Sequence, residues 1–201
     1  MKNHYLIILL FITTQTFAQQ NKYQIGIEGG PSLTTLRGND TQDFTYTSSY
    51  SVGFALQYNI TKLFSIHSNI SYEKKGTELI HPTGSPESPY ILKFNFDYLT
   101  VPILARLSFG TKAKFFVNAG PYFGHLFEPT WEDNSFDFGL VTGLGGQIDL
   151  NKNLILSLEL RNNLGLSPIT APHKEFEEKS YNNSINFLIG IAYKFKNNTT
   201  E

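Results

Sequence analysis

The chain has 201 residues, a formal net charge of −1 and no cysteine. That length gives one domain, or two small ones, able to bury a core without disulfide or metal staples. The missing cysteine removes thiol nucleophiles, iron–sulfur centres and zinc-thiolate sites. With 16% charged residues in near balance, the chain lacks the basic excess of a nucleic-acid binder, while 17 Phe, 11 Tyr and 16 Gly favour strands over helices.

Residues 1–18 read as a secretory leader. Lys2 gives a basic start, residues 5–12 (YLIILLFI) form an apolar run of eight, and Thr16-Phe17-Ala18 sets small residues at −3 and −1 of a cut. Eight apolar residues are too few for a membrane-spanning helix, which needs about 20. No cysteine follows the cut, so the product carries no lipid. The expected division is a leader over 1–18 and one barrel domain over 19–201. Beyond residue 18 no apolar run approaches helix-spanning length, so insertion in a membrane requires a closed barrel.

Period-two alternation between turn signals predicts eight strands, over 23–33, 50–59, 64–74, 96–109, 115–126, 137–150, 154–166 and 184–195. Segments of about ten residues suit tilted membrane strands. One strip of each is apolar, as with Val52, Phe54, Leu56 and Tyr58 in the second and Leu154, Leu156, Leu158 and Leu160 in the seventh. The other strip is polar or small: Ser65, His67, Asn69, Ser71 and Glu73 in the third, Ser157, Glu159, Arg161 and Asn163 in the seventh, and glycines in most others. Alternation alone does not say which strip faces inward. A soluble lipocalin-like barrel would put the apolar strip inside.

Two features favour the membrane orientation. Short turns at 60–63, 110–114 and 151–153 alternate strictly with long polar connections at 34–49, 75–95, 127–136 and 167–183. All tight turns then lie at one end with both termini, the layout of short periplasmic turns and long extracellular loops. Tyr23, Tyr58, Phe64, Phe109, Phe115, Tyr193 and Phe195 also fall on the apolar strip at the short-turn end. A membrane interface selects such an aromatic girdle, and Tyr72, Phe123 and Phe138 would form its upper counterpart. The fold class is therefore all-β, an eight-stranded antiparallel up-and-down transmembrane β-barrel in the outer membrane. Pro31, Pro102 and Pro121 interrupt strands, and a bulge or strand end is expected near each. Gly30-Pro31 and Gly120-Pro121, in the first and fifth strands, hint at a four-plus-four duplication.

Asp97-Tyr98-Leu99-Thr100-Val101-Pro102-Ile103-Leu104, followed by Phe109-Gly110, resembles the strand-four signature of the PorT-like outer-membrane β-barrel proteins of Bacteroidetes. Ala119-Gly120-Pro121-Tyr122-Phe123-Gly124, the opening IGIEGGPSLTTL (25–36) and the closing Ala192-Tyr193-Lys194-Phe195 are similar to that family as well. The resemblance spans the mature chain and implies a small OmpA/OmpX-like barrel. The name-giving member of the family is implicated in protein secretion and gliding, and most relatives have no assigned activity.

Candidate chemistry is sparse. His4 falls in the leader, His81 and His173 in long connections, His67 on the lumen strip and His125 near the top of the fifth strand; no two have ligand spacing. Ser65, His67 and Glu73 share one strip, but residues so arranged stack up the wall at growing distance and face away from lipid, so no hydrolytic set is expected. Gly143-Leu144-Gly145-Gly146 lacks the helix a nucleotide fingerprint requires; its glycines are expected to make room in a narrow lumen. Trp131, with Glu132 and Asp133, is either a recognition aromatic or rim packing. Strand parity sends Glu28, Glu73, Arg106, Gln147, Glu159, Arg161 and Lys194 inward. Glu28, Arg106, Glu159 and Arg161 are expected to form one ionic cluster across the lower lumen, with Glu73 above and Lys194 at the bottom, because unpaired charges there cost too much desolvation.

The sequence thus reads as a non-enzymatic, cofactor-free protein: a monomeric barrel in the outer-membrane bilayer, with no metal and no nucleic acid. Its leading role is structural, or interaction with an envelope or secretion protein through its extracellular loops. A narrow porin-like channel and a soluble secreted lipocalin-like binder are the alternatives. An epitope tag inserted within residues 84–88 is expected to be reachable on intact cells, and one at Lys112 is not; the opposite pattern would reverse the orientation.

Overall fold

The computed structural model describes residues 22–38, 44–81, 90–128, 134–169 and 179–195. The leader over 1–18, the loop tip at 84–88, Trp131, Glu132, Asp133 and His173 lie outside them, as does the side chain of His81. The strands are β1 (Tyr23–Arg37), β2 (Phe44–Thr45), β3 (Thr47–Asn59), β4 (Phe64–His81), β5 (Tyr90–Gly110), β6 (Ala113–Leu126), β7 (Phe136–Asp149), β8 (Leu154–Gly165) and β9 (Tyr181–Lys194). Eight of them pair antiparallel with their neighbours, and β1–β9 and β4–β5 pairing completes the ring. The two-residue β2 adds to β4 above the barrel proper. Among the described residues no helix is long and apolar enough to cross a membrane; the chain crosses with strands.

The wall is inside-out relative to a soluble protein. Among the described residues nine hydrophobic side chains are buried against twenty-eight polar or charged ones. The apolar strip faces outward, with Phe54 73%, Phe115 72%, Leu144 61% and Leu158 57% exposed. Lipid is the medium in which such a surface is stable, and the lipocalin-like alternative, which needs the same strip inside, does not match this fold. At the short-turn end Tyr23 and Tyr58 pair across β1 and β3 with ring centres 5.0 Å apart, and Tyr193 packs edge-on to Phe195 at 5.2 Å. Phe109 faces Phe115 across β5 and β6, and Phe64 faces Leu107. At the other end Phe123 packs on Phe138, and Tyr72 lies between Tyr50 and Phe127.

Two expectations change. The connection drawn over 75–95 is largely strand: β4 continues to His81 and β5 begins at Tyr90, and β1 and β3 likewise extend to Arg37 and from Thr47. Above Lys74 and Asp97 most outward positions become polar, so composition reads as loop while the β4–β5 pairing continues. Glu78 and Lys93 face each other across this hairpin at 2.7 Å. The Lys93 ammonium and the Thr47 hydroxyl, both bonded to Glu78, hold its carboxyl below the usual range.

The prolines produce no bulge: each ladder keeps one register throughout, with pairing interrupted beside Pro31 on the β9 side, Pro102 on the β4 side and Pro121 on the β5 side. Proline removes one donor, and a closed ring tolerates one missing bond more readily than a shifted register that would turn every later side chain over. Gly30 and Gly120 precede two of these prolines, and a Cβ on either would collide with a carbonyl oxygen, of Phe187 and Ile103 respectively. The two Gly-Pro pairs thus bring about the same close approach to the preceding strand in the ring.

Leu158 points to lipid and Ser157 to the lumen, where its hydroxyl donates to the Gly190 carbonyl at 3.4 Å. Leu158→Arg is expected to cost about 2–4 kcal/mol in reversible urea unfolding from lipid vesicles. Ser157→Arg is expected to cost markedly less; equal costs would contradict the parity of β8.

Candidate functional site: the ionic lumen

Two layers of charge cross the lumen. The lower layer is built by β1, β4, β5 and β8. Arg161 forms a fork on Glu159, donating from Nε to Oε1 at 2.7 Å and from Nη2 to Oε2 at 3.1 Å. Its Nη1 donates to Asn69 Oδ1 at 3.2 Å, and its Nη2 lies 3.0 Å from Glu28 Oε1. Arg106 reaches the same carboxylate from the opposite wall, with Nη2 donating to Glu159 Oε2 at 3.1 Å. Its remaining donors meet Asn118 and Gln57, each at 2.8 Å, and its guanidinium lies over the Phe116 ring at 4.0 Å. Asn118 Nδ2 closes the set by donating to Glu159 Oε1 at 2.9 Å. Glu28, Arg106, Glu159 and Arg161 are all buried, and the structure brings all four together.

The backbone makes space for these groups. Glu28 is flanked across the ladders by Gly53 and Gly190, Arg161 by Gly143 and Glu159 by Gly145. A Cβ at Gly143 would crowd the Glu159 carboxylate, and one at Gly145 would meet the Phe116 ring, which covers Arg106. His67 joins the layer from β4, its Nε2 3.3 Å from Glu28 Oε2. Glu28, His67 and Glu159 offer three ligand atoms within 4.8 Å of one another, the one such group among the described residues. The two guanidiniums already occupy these carboxylates, so a divalent cation would have to displace fixed positive charge; the donor set fits an arginine network better than a metal.

The upper layer was not legible as a site. Lys75 belongs to the connection expected over 75–95, yet it is buried, with Nζ 3.0 Å from Asp137 Oδ2 and 3.6 Å from Glu73 Oε2. Its ammonium also lies within 5 Å of the Tyr98 and Tyr122 ring centres, at 4.8 and 4.7 Å. Asp137 further accepts from Tyr122, Ser167 and Asn182, and Glu73 from Thr100 and Asn163. The available signal was parity: Lys75 is two residues beyond Glu73 on the same strip. Leu104, Tyr122 and Val141 pack as an apolar cluster inside the barrel. Lys194, at the bottom, pairs with Asp149 at 2.8 Å. A cavity of about 220 Å³ at that end is lined by Asn59, Ser108, Lys114, Gln147 and Lys194 among others. A void of about 30 Å³ beside Glu28, Gln57 and His67 has room for an ordered water.

A family model described as outer membrane protein beta-barrel domain matches residues 17–171. None of the curated proteins matches the chain. Among solved structures, Neisserial surface protein A (NspA) is similar at 14% identity and a TM-score of 0.56, covering 89% of this chain and 99% of its own. The outer membrane protein OprG from Pseudomonas aeruginosa is similar at 13% identity and a TM-score of 0.56, covering 89% and 98%. At these identities the likeness is one of fold.

Removing one partner of the lower layer leaves buried charge uncompensated. Arg161→Met is therefore expected to cost about 3–5 kcal/mol in the same unfolding assay. The double variant Arg161→Met with Glu159→Leu is expected to recover part of that loss. A single variant as stable as the wild type would contradict the network.

Proposed function

The chain belongs to the outer membrane protein β-barrel domain family and resides in the outer membrane, and from that premise we propose that it acts as a closed barrel whose work is done by its extracellular surface. The observation that carries the reading is the lower ionic layer, in which Arg106 and Arg161 converge on Glu159 from opposite walls. An eight-stranded barrel has an interior just wide enough for side chains, so a cross-lumen network of this kind is a plug. Its cations and anions balance, two arginines against Glu28 and Glu159, so the layer carries no net charge. The partner is then an envelope or secretion protein met at the loops. The motif around Tyr98 to Leu104 supports a place in the PorT-like branch, and the leader over 1–18 supports export before insertion.

Planar-bilayer recording tests the plug. The purified full chain is expected to show no steady conductance, whereas replacing Arg106, Glu159 and Arg161 together by alanine is expected to open a current. Steady nanosiemens-scale conductance from the wild type would overturn the closed-barrel reading in favour of a narrow channel.

A further inference from the structure

The barrel is closed, but the hairpin above it is not. β6 pairs with β5 only from Tyr98 downward, where Tyr98 faces Leu126. One further bond joins them, from the Phe127 amide to the Asp97 carbonyl at 2.9 Å. β4 continues to pair with β5 up to Tyr90. Over residues 90–96, then, one side of β5 is held by β4, and among the described residues no backbone group meets the other side.

The identity of the open groups follows from strand geometry. N–H and C=O of a given residue point to the same side of a strand, and alternate residues point to opposite sides. Asp97 directs its carbonyl toward the β6 side, and Ser108 directs its amide to Leu63 on the β4 side. Odd-numbered residues therefore face away from β4, and Ile91, Lys93 and Asn95 present their amides and carbonyls to the open edge. Natural sheets guard such edges with proline, bulges or charged side chains, lysine above all. Here no proline or bulge occurs between Tyr90 and Asp97, and the charges are already spent: Lys93 pairs with Glu78 at 2.7 Å and Asp97 with Lys74 at 3.9 Å. The side chains alternate, with Leu92, Phe94 and Phe96 continuing the lumen-side strip and Ile91, Lys93 and Asn95 on the outer one. Seven residues at about 3.3 Å each give an edge of about 23 Å.

We propose that this edge is a strand-addition site for an extended segment of a partner protein, uncharged and with apolar residues at alternate positions, which adds to β5 above the membrane in line with β6. A row of backbone donors and acceptors is complementary to another backbone, the neutral edge selects against a strongly charged partner, and the Leu92–Phe94–Phe96 strip takes up the partner's apolar side chains. The proposal rests on the reading of the chain as an interaction protein and names the surface that reading requires.

Hydrogen exchange of the full chain in lipid nanodiscs tests it. In the free protein the Lys93 and Asn95 amides are expected to exchange at least roughly tenfold faster than the Phe94 and Phe96 amides, which bond to β4. The probe is a synthetic peptide of alternating Thr and Val. It is expected to slow Lys93 and Asn95, and a version N-methylated along one edge is expected not to. Asn95→Pro removes only an amide the barrel does not use, so heat-modifiable gel mobility is expected to persist while peptide protection is lost. Slow exchange at Lys93 and Asn95 without peptide would mean that the chain covers its own edge, and would overturn the proposal. So would equal binding of the N-methylated peptide, no response to the peptide at saturation, or a disulfide-linked dimer of Asn95→Cys in this otherwise cysteine-free chain, which would give the edge to a second copy. None of these outcomes alters conductance, so the closed-barrel reading stands or falls separately.

Discussion

The interior of an eight-stranded barrel has room for side chains and little else, and any charge placed there must find its partner within reach. This constraint organises the molecule. Arg161 uses both faces of its fork on Glu159 and reaches Glu28 and Asn69 as well. Arg106 answers from the far wall and lies on Phe116. Glycines stand across the ladders from the largest of these groups because a side chain there would occupy the same volume. The lumen is thus a polar core, with hydrogen bonds in the role that apolar packing has elsewhere, and the lipid-facing wall is where apolar area is spent.

The same constraint divides the work between interior and surface. On the proposed closed-barrel reading, the wall and the end opposite the short turns are the places where the protein meets a partner. The wall is committed to lipid by its apolar strip and aromatic belts. The end opposite the short turns rises well above the upper aromatics through β4 and β5, where outward residues turn polar at Lys74 and Asp97. Among the described residues that hairpin is the longest in the ring, and it leaves the ladder of β6 behind, so the upper part of β5 has a strand partner on one side only.

Much of this was legible in the sequence because side-chain direction in a strand has a period of two. Parity placed Leu158 outside and Ser157, Glu159 and Arg161 inside, and the alternation of short and long connections placed the tight turns at one end. The strand ends were not legible. Once strands leave the bilayer, the outward strip no longer needs to be apolar, so Lys75 through His81 and Tyr90 through Asn95 read as connection although the β4–β5 pairing runs through both. Lys75 and its contacts with Asp137, Tyr98 and Tyr122 were missed for that reason. The prolines misled in the other direction. They signal a missing donor, but whether the ring answers with a bulge or with a gap depends on the pairing of both neighbours, which local sequence does not contain.

The central claim is that Arg106 and Arg161 are held in a closed, water-poor network across the lumen. Proton-detected solid-state NMR of the protein in lipid bilayers reads this at the guanidinium Nε–H groups. The account predicts that both resonances are resolved and exchange slowly with water, with cross-peaks to the Glu159 carboxylate. Guanidinium protons in rapid exchange with water, at the averaged shift of free arginine, would show a hydrated, open lumen and contradict it.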